Sequence, residues 1–454
     1  MRLALPLVAM ATAPFGAVAY TPDPVQPSEI TVEVAEVGTM PSIAGNLASP
    51  VAIKDTLYLI DQWGAIYRMT DEGNLDLVFD TSDAPDGLQL DNRQSVLNIA
   101  APRNGNTVYI VFTSGNLPDL GVPAYQLPDP LPGNCCVTGE AVRDLFRLDP
   151  MPNAFALNLF GPASRTEYQV IYEYKLTGKK LRDPRPIVSF ETQSGPTHNG
   201  GGLLVLPDGR LLFAAGDSLP FGTEGRFTAQ DDNEHVSKLL IIDPATSTVE
   251  PAGKGVRNVQ RLTYADDKQT MIGFADIGGV TAEEVNFVST ADIMDTSTVE
   301  NFGWGRNADG LAREGTFYVG PGIPGLFGTE PPAEGIAPTP EPAFIQPQSQ
   351  FGRSDPAQFI AVSGPVASKQ SLDTVTHLFG NLSSGSVYAS IASFTATAAP
   401  VYEVNLVDEY GNPTTLNTLA GGVRSDPRFF DFPDGKAGVL LEATGRFYEL
   451  TQIQ

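Results

Sequence analysis

The sequence predicts an all-β protein whose short strands form antiparallel hairpin units arranged as the blades of a propeller. Three observations carry that expectation. Glycine and proline are abundant, at 45 and 38 residues, and they cut the apolar segments into pieces too short for helices of ordinary length. Turn residues recur between those pieces, as at Pro207-Asp208-Gly209-Arg210 and Thr444-Gly445, and no helical periodicity of comparable length interrupts them. Hairpins without intervening helices suit either a sandwich or radial blades, and a chain of 454 residues favours blades.

In order along the chain, Thr56 to Asp61 and Trp63 to Arg68 read as the first hairpin. Thr107 to Thr113, Gln169 to Tyr174, Leu203 to Ala215 around its turn, Leu239 to Asp243, Met271 to Asp276 and Glu284 to Val288 continue the series. Phe359 to Val362, Val375 to Phe379, Ser386 to Ile391, Val401 to Val407, Ala437 to Leu441 and Arg446 to Leu450 complete it. Two stretches, about 114–166 and 320–356, break this rhythm. They read as long loops, either folded over one end of the propeller or decorating its surface.

Arg2, the apolar run Leu3 to Ala11 and the small residues Ala17-Val18-Ala19 have the layout of a signal peptide. Residues 1–19 are therefore expected to be removed, leaving 20–454 as a single propeller domain that is periplasmic or secreted. No other segment approaches the roughly twenty apolar residues of a membrane helix, so no membrane span is expected. With 28 basic against 53 acidic side chains the net charge is -25, which repels phosphate backbones and argues against nucleic-acid partners. The two cysteines, Cys135 and Cys136, are adjacent. They cannot staple distant segments or make a metal site alone; a strained vicinal disulfide and pairing with another chain both stay open.

The segment from Thr197-His198-Asn199-Gly200-Gly201-Gly202 through a hairpin to Gly216-Asp217 resembles the soluble quinoprotein glucose and aldose sugar dehydrogenases, the PQQ-dependent family. Lys238 to Pro244, Val256-Arg257-Asn258-Val259-Gln260-Arg261-Leu262, Asp276-Ile277-Gly278-Gly279 with Glu283-Glu284-Val285-Asn286, and Asn301-Phe302-Gly303-Trp304 follow in the family's order. Each motif is short and prone to chance matches, but their shared order is far more specific. The resemblance implies a six-bladed β-propeller, pyrroloquinoline quinone (PQQ) and calcium as cofactors, a small-molecule sugar or alcohol substrate, and a periplasmic electron acceptor.

It also implies roles. Oxidising an aldose at its anomeric carbon needs a base for the hydroxyl proton, and His198 matches that position. Arg257 would stabilise charge on a quinone oxygen, since a guanidinium stays protonated at working pH. Asn258, Gln94 (or its neighbour Arg93), Arg424 and Arg428 would hold the cofactor. Backbone carbonyls of Gly278 and Gly279 would bind calcium, which prefers oxygen ligands. Glu284 matches an acidic family position that binds a structural ion or caps a turn, and Asp217 reads as a supporting or turn residue. Each has a plainer reading as a turn, an Asx motif or a surface ion pair.

Departures from the family pattern concentrate on cofactor affinity. PQQ carries three carboxylates and needs several cations, yet Ser383 stands where the family has lysine, and Arg424 and Arg428 are shifted in register. Thr197 replaces a residue that is often acidic, and Gly279 replaces proline. Two readings follow. The first is an exported sugar dehydrogenase-like enzyme oxidising an aldose or a related alcohol or aldehyde; the second is a non-catalytic propeller binding carbohydrate or protein.

Overall fold

The computed structural model describes residues 24–41, 46–90, 95–103, 105–116, 119–125, 167–192, 198–217, 229–278, 282–306, 312–314, 317–319, 344–352, 362–367 and 370–454. The leader-like residues 1–19, Cys135, Cys136, Arg93, Gln94, Thr197 and Gly279 lie outside the described residues, as do most of the two long loops.

The chain opens with β1 (Thr31–Thr39). Blade 1 is built from β2 (Val51–Ile53), β3 (Thr56–Asp61), β4 (Ala65–Met69) and β5 (Leu75–Phe79). Blade 2 contains β6 (Val96–Ala100), β7 (Thr107–Ser114), β8 (Ala124–Tyr125), β9 (Glu167–Thr177) and β10 (Lys180–Thr192), with β8 parallel to β10 at its edge. Blade 3 is β11 (Gly200–Val205), β12 (Leu211–Ala215), β13 (Lys238–Asp243) and β14 (Thr248–Lys254). Blade 4 starts with β15 (Thr263–Tyr264), β16 (Met271–Asp276) and β17 (Ala282–Ser289). The chain then adds β18 (Glu300–Asn301) to the edge of blade 3 and forms a small sheet from β19 (Gly305–Arg306), β20 (Ala312–Glu314) and β21 (Phe317–Val319). It returns to blade 4 as β22 (Ser349–Gly352). Blade 5 is β23 (Val362–Val366), β24 (His377–Asn381), β25 (Val387–Ser390) and β26 (Tyr402–Glu403). The last strands are β27 (Asn405–Asp408), β28 (Pro413–Thr414), β29 (Pro427–Asp431), β30 (Ala437–Leu441) and β31 (Arg446–Gln452).

Six blades stand in a ring, a six-bladed β-propeller. Blade 6 is where the ring closes. Its order is β29-β30-β31-β1-β27-β28, so the N-terminal strand lies antiparallel to the C-terminal one, from Val32 opposite Gln452 to Thr39 opposite Arg446. β27 then pairs parallel to β1.

Six apolar clusters fill the interfaces between neighbouring blades. Period-two geometry explains how one strand serves two of them. On β3, Leu57 and Leu59 face blade 6 with Phe430, Leu440 and Phe447, while Tyr58 and Ile60 face blade 2 with Val96 and Ile110. The same alternation places Leu203 and Phe213 against blade 2, and Leu212 and Leu239 against Phe274 and Val288 of blade 4. Blades 4 and 5 share Val285, Phe351 and Phe379, and blades 5 and 6 share Leu378, Val387 and Val439. Both faces of each inner strand are therefore dry, which is why the sequence shows continuous short apolar runs rather than alternation.

Where the strand expectations differ from the structure, strands towards both ends of the blade order are involved: β6 and β29, and also β10 and β14, fall outside the expected segments. The run Val401 to Val407 splits into β26 and β27, which belong to different blades. β22 lies inside the stretch expected to be the second long loop, and β1 was not anticipated because its C-terminal half is largely exposed and lacks an apolar run. Among the described residues no helix is long and apolar enough to cross a membrane.

Candidate functional site

The β11–β12 hairpin brings its two ends together, and the glycines there are a steric requirement. A Cβ on Gly200 would lie 2.4 Å from the Ala214 carbonyl oxygen, and one on Gly216 would lie 1.8 Å from that of His198. Gly200 also has φ +64°, a conformation glycine adopts without penalty. His198 itself sits at φ +64°, uncommon for a residue with a Cβ. Its loop is held by the Gln169 amide, which donates to the Asn199 carbonyl at 2.6 Å, and by the Gly200 N–H, which donates to Asn258 Oδ1 at 3.1 Å.

The crossing sets His198 against Asp217. His198 Nδ1 is 2.8 Å from Asp217 Oδ1, and His198 Nε2 is 3.0 Å from Arg257 Nη2. Arg257 reaches the pair from the connection between blades 3 and 4; its Nη1 donates to the Ile277 carbonyl at 2.9 Å and its Nε is 3.9 Å from Asp217 Oδ2. The side chains of His198 and Arg257 are each 14% exposed and that of Asp217 5%, so the cluster is sheltered yet reachable. Because a guanidinium only donates, Nε2 must accept from it, and Nδ1 carries the hydrogen that goes to Asp217. The partners thus select one imidazole tautomer.

Asp276, at the end of β16, receives the backbone N–H groups of Arg257 (2.8 Å) and Asn258 (2.7 Å) on its two carboxylate oxygens. Burial, and after it the Glu284 carboxylate opposite on β17, push its carboxyl well above the usual range. Beside it, the Gly278 N–H donates to Glu283 Oε2 at 3.1 Å, and the same oxygen accepts the Val362 N–H from blade 5 at 3.1 Å. On the far side of Arg257, the Trp304 ring centroid lies 5.2 Å from Cζ.

His198, Arg257, Asn258 and Gly278 of the expected site are therefore joined through one network, with Ile277 bonded to Arg257 and next in the chain to Gly278. Gln94 and Gly279 lie outside the described residues. Arg424 and Arg428 are engaged elsewhere: Arg424 pairs with Asp426 at 2.5 Å, and Arg428 pairs with Glu442 at 2.5 Å and donates to the Leu47 carbonyl. The Ser383 hydroxyl is buried without a hydrogen-bond partner among the described residues. Sequence reasoning undervalued Asp217 and passed over Asp276 and Trp304. All three stand in quoted motifs, yet nothing local to those motifs shows what they touch. Among the described residues no cluster of three or more His, Cys, Asp or Glu side chains is arranged to hold a metal.

No family model matches the chain, and no curated protein does. Solved structures do. The chain is similar to the PQQ-bound form of aldose sugar dehydrogenase from Streptomyces coelicolor, at 18% identity and TM-score 0.52 over 94% of this chain and 100% of that one. It is also similar to the soluble aldose sugar dehydrogenase from Escherichia coli in the apo-form, at 14% identity and TM-score 0.52 over 93% and 99%. A glucose dehydrogenase matches at 15% identity and TM-score 0.56 over 93% and 100%. What the chain shares with these enzymes is their fold, over almost its whole length.

Proposed function

We propose that this chain is a sugar dehydrogenase-like oxidoreductase of the quinoprotein type, taking hydrogen from an aldose or a related alcohol or aldehyde with PQQ and calcium. The observation that supports it best is the contact of His198 with both Asp217 and Arg257 in a fold shared with aldose sugar dehydrogenases. When bound, PQQ supplies a two-electron acceptor and calcium a Lewis acid beside it.

The donor set suits such a group. Arg257 is a permanent cation placed to meet an oxygen that gains charge. No hydrogen bond among the described residues engages Asn258 Nδ2, while its Oδ1 is tied to Gly200, leaving a donor that can orient a carbonyl or carboxylate. Gly278 would contribute its backbone carbonyl to calcium together with Gly279. His198 would take a substrate hydroxyl proton on Nε2 once that lone pair is released from Arg257 Nη2, and Asp217 would stabilise the imidazolium so formed. We place the mature chain, 20–454, in the periplasm or outside the cell on the strength of its leader-like N-terminus, with a soluble electron acceptor there.

One observation favours a second reading. Arg428 is held in a largely buried pair with Glu442 and by the Leu47 carbonyl, and the half-exposed Arg424 pairs with its neighbour Asp426, so neither bonds to the His198–Arg257 network. That suits a non-catalytic propeller binding carbohydrate or protein at the same mouth.

The two separate on titrating metal-free protein with calcium and PQQ, then following dye reduction with a panel of aldoses. The enzyme reading expects calcium-dependent quinone uptake, and His198→Ala should cut turnover by roughly 10²–10⁴-fold while quinone binding changes little. Absence of quinone uptake with or without calcium would leave the binding-protein reading.

A further inference from the structure

The Asn301-Phe302-Gly303-Trp304 turn is fastened at nearly every polar atom. Asn301 Oδ1 accepts the Gly303 N–H at 3.0 Å and Gln230 Nε2 at 3.1 Å, and Asn301 Nδ2 donates back to Gln230 Oε1 at 2.8 Å. Gln230 Nε2 also donates to the Trp304 carbonyl at 2.7 Å. The backbone completes the clamp: the Phe302 N–H donates to Lys254 and the Trp304 N–H to Gly255, at 2.9 and 2.8 Å.

Gln230 is itself anchored. The carbonyl of its neighbour Ala229 accepts the Gly255 N–H at 3.2 Å and a hydrogen bond from Lys238 Nζ at 3.1 Å. Lys238 Nζ, on a side chain buried inside blade 3, also donates to Val236 at 2.9 Å, so one amine ties both ends of the segment 229–236. What this assembly presents is the Trp304 indole, 6% exposed, 5.2 Å from Arg257 Cζ. The guanidinium nitrogens are occupied by Ile277 and His198, so the ring supports a group whose hydrogen-bonding ends are already directed.

We propose that Trp304 is a positioning residue for Arg257, and that Gln230 and Asn301 set the indole so that the guanidinium stays directed at His198 and the oxygen it would meet. This deepens the reading of the site as a dehydrogenase centre and rests on it for the identity of that oxygen. The physical reason is entropic as well as electrostatic. Arg has many rotamers, and an aromatic surface that attracts its cation narrows them without using any of its N–H donors.

The test uses the full chain with Trp304→Leu, Trp304→Phe and Gln230→Met. Its first readout is ¹⁵N NMR of the Arg257 side chain and of His198, which is one of three histidines in the sequence. The wild type should show separate Nη signals and the Nδ1–H tautomer of His198. Trp304→Leu should merge the Nη signals and mix the tautomers, Gln230→Met should do so in part, and Trp304→Phe should restore much of the wild-type pattern. On quinone-loaded protein, Trp304→Leu should lower kcat about tenfold with KM for the sugar changed less than about twofold. Unchanged Arg257 and His198 signals in Trp304→Leu, with only a lower melting midpoint, would make Trp304 a core residue and overturn the proposal. If Trp304→Leu does not fold, Gln230→Met and Trp304→Phe decide by the same signals. A wild type that takes up no quinone would refute the dehydrogenase reading while leaving the NMR comparison to judge the positioning.

Discussion

His377 shows how differently this fold uses two histidines. On β24 it has no exposed surface, its ring is packed against Phe287, Phe379 and Phe394, and neither ring nitrogen has a hydrogen-bond partner among the described residues. Burial pushes its imidazole down to about 3, against an ordinary value near ~6.5. The unfolded chain therefore takes a proton below about 6.5 that the folded chain refuses until about 3. Stability should fall as pH drops through that window, with no contribution from this group above it. His377→Phe is expected to gain about 1–3 kcal/mol at neutral pH by removing two unsatisfied nitrogens, and to gain more at pH ~4.5. Urea unfolding at the two pH values checks it, and a gain that does not grow on the acid side would refute the assignment. His198, by contrast, has Asp217 on one nitrogen and Arg257 on the other. Residue type alone does not separate the two; their partners do.

At the scale of the element, the β11–β12 hairpin makes the site possible. Its sequence was legible as a hairpin because Pro207-Asp208-Gly209-Arg210 is a turn between apolar runs, and both strands lie as expected. What the local pattern did not reveal is that the glycines serve a crossing of His198 over Gly216. Gly216→Ala would place a methyl group 1.8 Å from the His198 carbonyl oxygen, a clash that only backbone movement relieves. A cost of at least ~1–3 kcal/mol is expected, together with weakening of the His198–Asp217 contact. A crystal structure of the variant with that contact intact, or wild-type stability in denaturant, would contradict the steric account. Middle strands such as β3, β7, β13 and β30 read as apolar runs because both of their faces are buried, whereas β6, equally buried, is interrupted by Asn98 and does not. β26, at the edge of blade 5, and β1, whose C-terminal half is largely exposed, carry mixed residues, and the pairing of β1 is decided by distant chain.

For the whole molecule, closure depends on β1 lying between β31 and β27 in blade 6. Removing residues 31–39 would strip β31 and β27 of their shared partner and remove Val32 and Val34 from the cluster between blades 5 and 6. The truncated chain should lose cooperative unfolding or melt far below the full chain, as followed by calorimetry, since an open ring exposes strand edges and a blade face together. An unchanged transition would mean that the ring closes without its N-terminal strand. By itself the sequence determined the all-β class, most middle strands of the blades and the motif order that points to a six-bladed propeller, because turns and short apolar runs are local properties. Only the tertiary structure decided that His198, Asp217, Arg257, Asp276 and Trp304 share one network and that Arg424 and Arg428 are engaged outside it. Those neighbours come from separate blades and connections, and side-chain packing between blades sets their approach.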